Sequence, residues 1–168
     1  MVRADGSVLR TIEGSQKASG LRFAVVVSKY NDFVTERLQA GALAALAAAG
    51  AGPDDLTVVR VPGAFEIPLA AQHAAETGRY DAVICLGCLI RGATPHFEYI
   101  SAAVSQGLTM AAGATGVPIT FGVLTTNSVE EAIERAGEGP TNKGWEAAAA
   151  AVEMAAVVAQ LTHRKPKA

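Results

Sequence analysis

The sequence predicts an α/β fold, a three-layer α/β/α sandwich built on a mainly parallel sheet. Three observations lead there. Short apolar runs alternate with longer stretches of helical periodicity along the 168 residues. The runs are continuous in Val, Ile and Leu, as in strands covered on both faces, and do not alternate with polar residues. Each is followed by enough helix-patterned chain for the crossover that parallel neighbours require.

In chain order, Ser7 to Gly20 comes first. Val8, Arg10 and Ile12 alternate ahead of Gly14 and leave room for one short strand, whose partner need not lie in its own sheet. Arg22 to Ser28 is the first apolar run and predicts a strand. A helix follows from about Asp32 to Ala49, with Leu38, Leu43 and Leu46 set among small alanines, and Gly50-Ala-Gly-Pro53 stops it. Leu56 to Val61 predicts a second strand, and Glu66 to Thr77 a helix whose first turn suits Glu66 and Pro68. Asp81 to Leu89 predicts the third strand. Pro95 to Ala114 predicts a long helix with Thr94 as N-cap and Pro95 as first helical residue. Pro118 to Leu124 predicts the fourth strand, Ser128 to Ala136 a short helix, and Asn142 can cap a final helix reaching about Leu161.

This organisation divides the chain into an extension (residues 1–20), a single domain (21–163) and a short tail (164–168). A chain of this length buries roughly two-thirds of its unfolded surface without help from metals or disulfides. A net charge of -2, with no Lys/Arg-rich run before His163-Arg-Lys-Pro-Lys167, argues against nucleic acid as partner. Met1 to Thr11 has no apolar signal-type segment, and no run approaches the ~18 apolar residues of a membrane span. These features predict a soluble cytoplasmic protein with no membrane partner. Cys85 and Cys88 form a C-x-x-C, but their odd spacing inside an apolar strand puts them on opposite faces and predicts ordinary buried thiols.

From Tyr99 to Val129 there is no charged residue, although the stretch includes most of a long helix. The last helix carries only Glu146, Glu153 and Gln160 as strongly polar residues, so its apolar surface is wider than one core-facing stripe. Both features predict a homo-oligomer.

Functional residues gather where the strands end, the rim at which parallel sheets bind ligands. The third strand runs through Gly87-Cys-Leu-Ile-Arg-Gly-Ala-Thr-Pro-His-Phe-Glu-Tyr-Ile100 into a helix start. Free N–H groups there, with the positive end of the helix dipole, suit an anion above Gly92. His96 in the first turn would be held neutral by the same dipole, ready to accept a proton. The same residues also fit a helix cap with an incidental surface histidine. After the first strand, Tyr30 can stack on a planar ring and Asn31 can bond its edge; the plainer alternative makes Asn31 an N-cap and Tyr30 a hydrophobic staple. After the second, Glu66 beside the N–H groups of Ala64 and Phe65 offers an acceptor for ligand hydroxyls, or merely complements a helix dipole. Phe121 and Thr125-Thr126-Asn127 complete the rim. Arg135 to Glu146 superficially looks like a P-loop, but it follows a helix and lacks the required Gly-Lys-Ser/Thr.

Taken together, Ser28 to Asn31, Pro62 to Pro68, Gly87 to Ile100, Phe121 to Thr125 and Asn142 to Ala147 resemble the lumazine synthase family of riboflavin biosynthesis. The resemblance spans nearly the whole chain and is most specific in Ile90 to Tyr99 and in the Pro-Gly-Ala-Phe-Glu run. It implies a flavodoxin-like sheet and condensation of 5-amino-6-ribitylaminouracil with 3,4-dihydroxy-2-butanone 4-phosphate to 6,7-dimethyl-8-ribityllumazine, without metal or organic cofactor. It also implies roles. Tyr30 stacks on the pyrimidine, while Asn31, Ala64, Phe65 and Glu66 contact the heterocycle and ribityl chain, with Leu89 and Ile90 in the same substrate-binding set. Gly92, Ala93 and Thr94 hold the phosphate together with Arg135, and His96 shuttles the proton. Phe121 and Arg135 come from the neighbouring subunit of a pentamer or an assembly of pentamers, and Lys143 and Glu146 lie near the substrate. Glu138-Gly-Pro-Thr-Asn142 departs from the family's usual Thr-Lys-x-Gly-Asn in a loop associated with assembly, which leaves a free pentamer and a larger shell both open. A non-catalytic flavin-binding or shell-forming paralogue, and a riboflavin synthase on the related fold, are the competing readings.

Overall fold

The computed structural model of the chain describes residues 9–162. Its four strands are all parallel, in the order β2-β1-β3-β4. β1 (Phe23–Ser28) is central, and each of its six residues is buried. β2 (Leu56–Val61) flanks it on one side and β3 (Ala82–Ile90) on the other, with Phe23 opposite both Leu56 and Ala82. β4 (Ile119–Thr126) forms the far edge, starting with Ile119 opposite Val83. The expected strand boundaries hold to within two residues, because continuous apolar runs and the turns that end them leave little room to slide.

Alternation along the strands feeds two separate cores. Phe23, Val25, Val27, Ile84 and Leu86 pack against α1 (Asp32–Ala48), α4 (Val129–Arg135) and α5 (Lys143–Thr162). Ala24, Val26, Val83 and Cys85 pack against α2 (Ile67–Glu76) and α3 (His96–Thr115). This is the expected three-layer sandwich. Cys85 and Cys88 fall in opposite cores as free thiols. Burial raises the Cys85 thiol far above its usual range and pushes Cys88 up to about 11, so neither forms a thiolate near neutral pH.

β2 departs from the expectation of full cover. It pairs only with β1 and exposes Thr57, Val58 and Arg60, whose guanidinium turns back toward Glu36 and Gln39 of α1 at 3.5 and 3.3 Å.

Residues 9–22 contain no strand within the single chain. They lie along the last helix instead: Gln160 Nε2 donates to the Glu13 carbonyl at 2.7 Å, and Gln16 Nε2 donates to the Ala149 carbonyl at 3.3 Å. Ala18 is fully buried and donates its N–H to Ala49 at 2.8 Å. Part of the wide apolar surface of α5 is therefore covered by its own chain. Val8 and the 164–168 tail lie outside the described residues. No helix among the described residues is long and apolar enough to cross a membrane.

Asn142 caps α5 as expected, and it also fastens the helix to its neighbours. Its Oδ1 accepts from the N–H groups of Gly144 and Trp145 at 2.8 and 3.3 Å, while Nδ2 donates to the carbonyls of Arg37 and Gly137 at 3.2 and 2.6 Å. With 2 % of its surface exposed, it satisfies a helix terminus that water does not reach. Two residues on, Gly144 lies directly against the Leu38 backbone of α1. That position sets how closely α1 and α5 approach.

Candidate active site

The carboxyl ends of β1, β2 and β3 open into a cleft of about 640 Å³. Of the residues expected to bind substrate, Tyr30, Asn31, Ala64, Phe65, Glu66, Leu89, Ile90, Gly92 and Thr94 all line it, and His96 joins them. Ala93 belongs to the same turn but is not part of the wall. Two aromatic rings rim the opening, Tyr30 at 72 % exposure and Phe65 at 57 %. A ring that open is no staple, which removes the plainer reading of Tyr30 and leaves its face free for a planar ligand.

Asn31 occupies the cap position of α1 but does not cap it. Its backbone is left-handed (φ 61°, ψ 45°), the one positive φ outside glycine among the described residues, and its side chain makes no bond to the helix. Instead Nδ2 donates to the Cys88 carbonyl at 2.9 Å, tying the β1–α1 turn to the end of β3. Asn tolerates this conformation better than most residues because its short amide finds a local partner. Two substitutions separate backbone from bond. Asn31→Gly keeps the backbone and loses about 1 kcal/mol with the hydrogen bond, whereas Asn31→Ala loses about 1 to 2 kcal/mol more by forcing a Cβ into the left-handed region. Urea midpoints should fall in the order wild type, Gly, Ala; equal midpoints for the two variants would show that the backbone is not held this way.

Glu66 turns one carboxylate oxygen back, with Oε2 accepting from the Gly63 N–H at 2.8 Å. This fixes the side chain across the turn that starts α2, and the other oxygen remains for a ligand.

The start of α3 differs from expectation. Thr94 does not cap it: Pro95 holds the cap position, His96 is the first helical residue, and no side chain caps the helix. The first helical bond runs from the Tyr99 N–H to the Pro95 carbonyl, at 3.4 Å, which sets the start of the helix one residue later than Thr94 would have. The N–H groups of His96 and Phe97 therefore receive no capping oxygen at the cleft, a stronger anion-binding arrangement than a capped end.

Phe121, Arg135 and Lys143 are not in this cleft. They line a second one, about 470 Å³, along the outer edge of β4 and between the end of α4 and the start of α5. Lys143 is largely spent there, its Nζ lying 2.7 and 2.8 Å from the two carboxylate oxygens of Glu146. Arg135 is exposed and, among the described residues, reaches only the Glu131 carbonyl, at 3.3 Å.

Comparison with known proteins bears on what these clefts serve. The sequence pattern of the 6,7-dimethyl-8-ribityllumazine synthase family matches residues 20–159. The 6,7-dimethyl-8-ribityllumazine synthase of Syntrophus aciditrophicus (strain SB) is 56 % identical over 149 residues, 89 % of this chain and 97 % of its own. That of Desulfatibacillum aliphaticivorans is 51 % identical over 145 residues, covering 86 % and 94 %. The chain belongs to the 6,7-dimethyl-8-ribityllumazine synthase family.

For a lumazine synthase, the first cleft also contains walls that the sequence reading passed over, Phe97 and Ile100 of α3. Their spacing with His96 places all three on the first turns of one helix, a signal that was available once the helix start was fixed. Arg91 was missed as well. It precedes the turn of residues 92–95, forms an ion pair with Glu98 and donates from Nε to Asn127 Oδ1 at 3.2 Å. The Glu98 carboxyl is held below the usual range, first by the backbone N–H at its own helix start and then by that guanidinium.

Proposed function

We propose that the first cleft is where this synthase condenses 5-amino-6-ribitylaminouracil with 3,4-dihydroxy-2-butanone 4-phosphate, and that the second cleft completes the same kind of site on a neighbouring subunit. The observation that carries the reading is the convergence, in one cleft, of exposed aromatic faces, a carboxylate, an uncapped helix start and His96. Tyr30 stacks on the pyrimidine, Asn31, Ala64 and Phe65 border the heterocycle, and Glu66 accepts from ribityl hydroxyls with its remaining oxygen. Leu89 and Ile90 form the apolar floor. Gly92, Ala93 and Thr94, with the first N–H groups of α3, take the phosphate.

The chemistry follows from that arrangement. The ring amine of the pyrimidine attacks the butanone carbonyl, and loss of water gives an imine. Removal of a proton next to that carbon expels inorganic phosphate and leaves an enol, which takes a proton at its terminal carbon to become a ketone; the ribitylamino nitrogen then attacks this ketone and closes the ring with loss of water. His96 accepts and returns the protons, while the cleft holds both reactants together. Positioning contributes much of the acceleration and general acid–base help only roughly 10²- to 10⁴-fold, so assembled His96→Ala should keep measurable turnover. Complete loss of kcat in that variant would make His96 more than a proton carrier.

The separation of Phe121, Arg135 and Lys143 from the phosphate turn supports a shared site. Arg135 approaches the phosphate of the adjacent subunit, Phe121 closes over its ligand, and Lys143 stays near the substrate through its pair with Glu146. The stretch of α3 from Tyr99 onward, uncharged and with Tyr99 itself 73 % exposed, supports a homo-oligomer, a pentamer or an assembly of pentamers. Residues 9–20, which form no strand within the single chain, add a short one to a neighbouring subunit, and the chain from residue 21 onward acts as one domain. The enzyme works in the cytoplasm.

Lumazine absorbance, followed after mixing the purified protein with both substrates, tests the reading. Formation well above the uncatalysed background is expected, and its absence from properly assembled protein would refute the assignment.

A further inference from the structure

The turn that receives the phosphate has nothing of its own to hold its shape. Among the described residues, Gly92, Ala93 and Thr94 make no hydrogen bond, and a side chain added at Gly92 would meet nothing. The turn is exposed and lies between the end of β3 and the start of α3, so its geometry depends on what fixes its two ends. One residue touches both.

Arg91 is anchored through its backbone, its N–H donating to the Thr126 carbonyl of β4 at 2.9 Å. Its guanidinium pairs with Glu98 in the first turn of α3 and lies 4.3 Å from the centre of the Phe97 ring. Nε reaches Asn127 Oδ1 in the β4–α4 turn at 3.2 Å. These contacts need a planar, multiply donating cation that also stacks, which lysine is not. Arg91 does not line the substrate cleft; it faces a shallow groove on the other side of Phe97, and Phe97 is the wall common to both. With its charge met by Glu98 and its head turned away, it is poorly placed to bind phosphate itself.

We propose that Arg91 is a positioning residue for phosphate binding: it straps the turn of residues 92–95 to α3 and to the β4–α4 turn, and so sets the geometry in which the turn and the first N–H groups of α3 meet the phosphate. The proposal rests on the reading of this cleft as the butanone phosphate site. An exposed ion pair alone contributes little, so the effect comes from the pair, the stack and the amide acting on one short turn.

The test uses assembled wild type, Arg91→Gln and Glu98→Gln, with each substrate varied in turn. Both variants should raise KM for the butanone phosphate about threefold to tenfold and leave KM for the ribitylaminouracil within about twofold. Unchanged KM for the butanone phosphate in both variants would overturn the proposal. So would a lowered value in Glu98→Gln, because Arg91 freed from its partner would then be binding phosphate directly. An equal rise for both substrates would also overturn it, as general loosening. Calorimetry with inorganic phosphate reads the turn apart from turnover, and both variants should weaken that binding. A protein that makes no lumazine yet shows this weakening fails the reading of the reaction and keeps the strap.

Discussion

Gly144→Ala should destabilise the protein by about 3 kcal/mol or more, lowering its melting temperature by roughly 6–12 °C. The added Cβ would overlap the Leu38 carbonyl oxygen and lie 2.7 Å from its carbon, and a backbone cannot rotate out of the way as a side chain can. The strain has no easy outlet. Moving α5 outward together with its cap would break the bond from Asn142 to Arg37, and would open the core formed by Leu38, Ala148 and Val152. Melting curves of assembled wild type and variant check this. A variant melting within about 2 °C of wild type would show that the two helices are not held at this approach.

Arg135→Ala should raise KM for the butanone phosphate roughly tenfold to hundredfold while leaving KM for the ribitylaminouracil near wild type. The expectation rests on what each cation of the second cleft has left to give. Lys143 is neutralised by two short contacts to Glu146, whereas the guanidinium of Arg135 reaches only a carbonyl among the described residues. A planar fork of donors at the end of α4 fits a phosphate dianion well. Initial rates at saturating ribitylaminouracil give the comparison, and an unchanged KM for the butanone phosphate would remove Arg135 from the site.

The sandwich was legible because its determinants are local. β1 and β3 are apolar runs buried along nearly their whole length, and two strands of this kind joined by helix-patterned chain already require parallel pairing. Asn142 was legible as a cap for the same reason, since the donors it serves are two and three residues away. Arg91 was not, because its partners lie seven and 36 residues off and meet it only once β3 and β4 are side by side. Thr94 misled because a threonine before a proline has the composition of a cap, while the helix start is decided by which carbonyl accepts the first bond. Asn31 looked like a cap and proved to be a bridge, a choice made by the open carbonyl of Cys88 across the rim. The division of the expected site into two clefts depends on tertiary placement, with Phe121 on an edge strand facing away from the rim that Tyr30 and Glu66 share.

Whether those two clefts belong to different active sites is tested most directly by subunit mixing. A chain carrying Glu66→Ala and His96→Ala is defective in the first cleft, and one carrying Arg135→Ala in the second. Each is assayed alone, then both are unfolded together and co-assembled in equal amounts, with butanone phosphate kept below the wild-type KM. If sites form between neighbours, random mixing makes about a quarter of them wild type in both halves, and activity should rise toward about a quarter of the wild-type rate. A mixture no more active than the mean of the two separate assemblies would contradict the shared site.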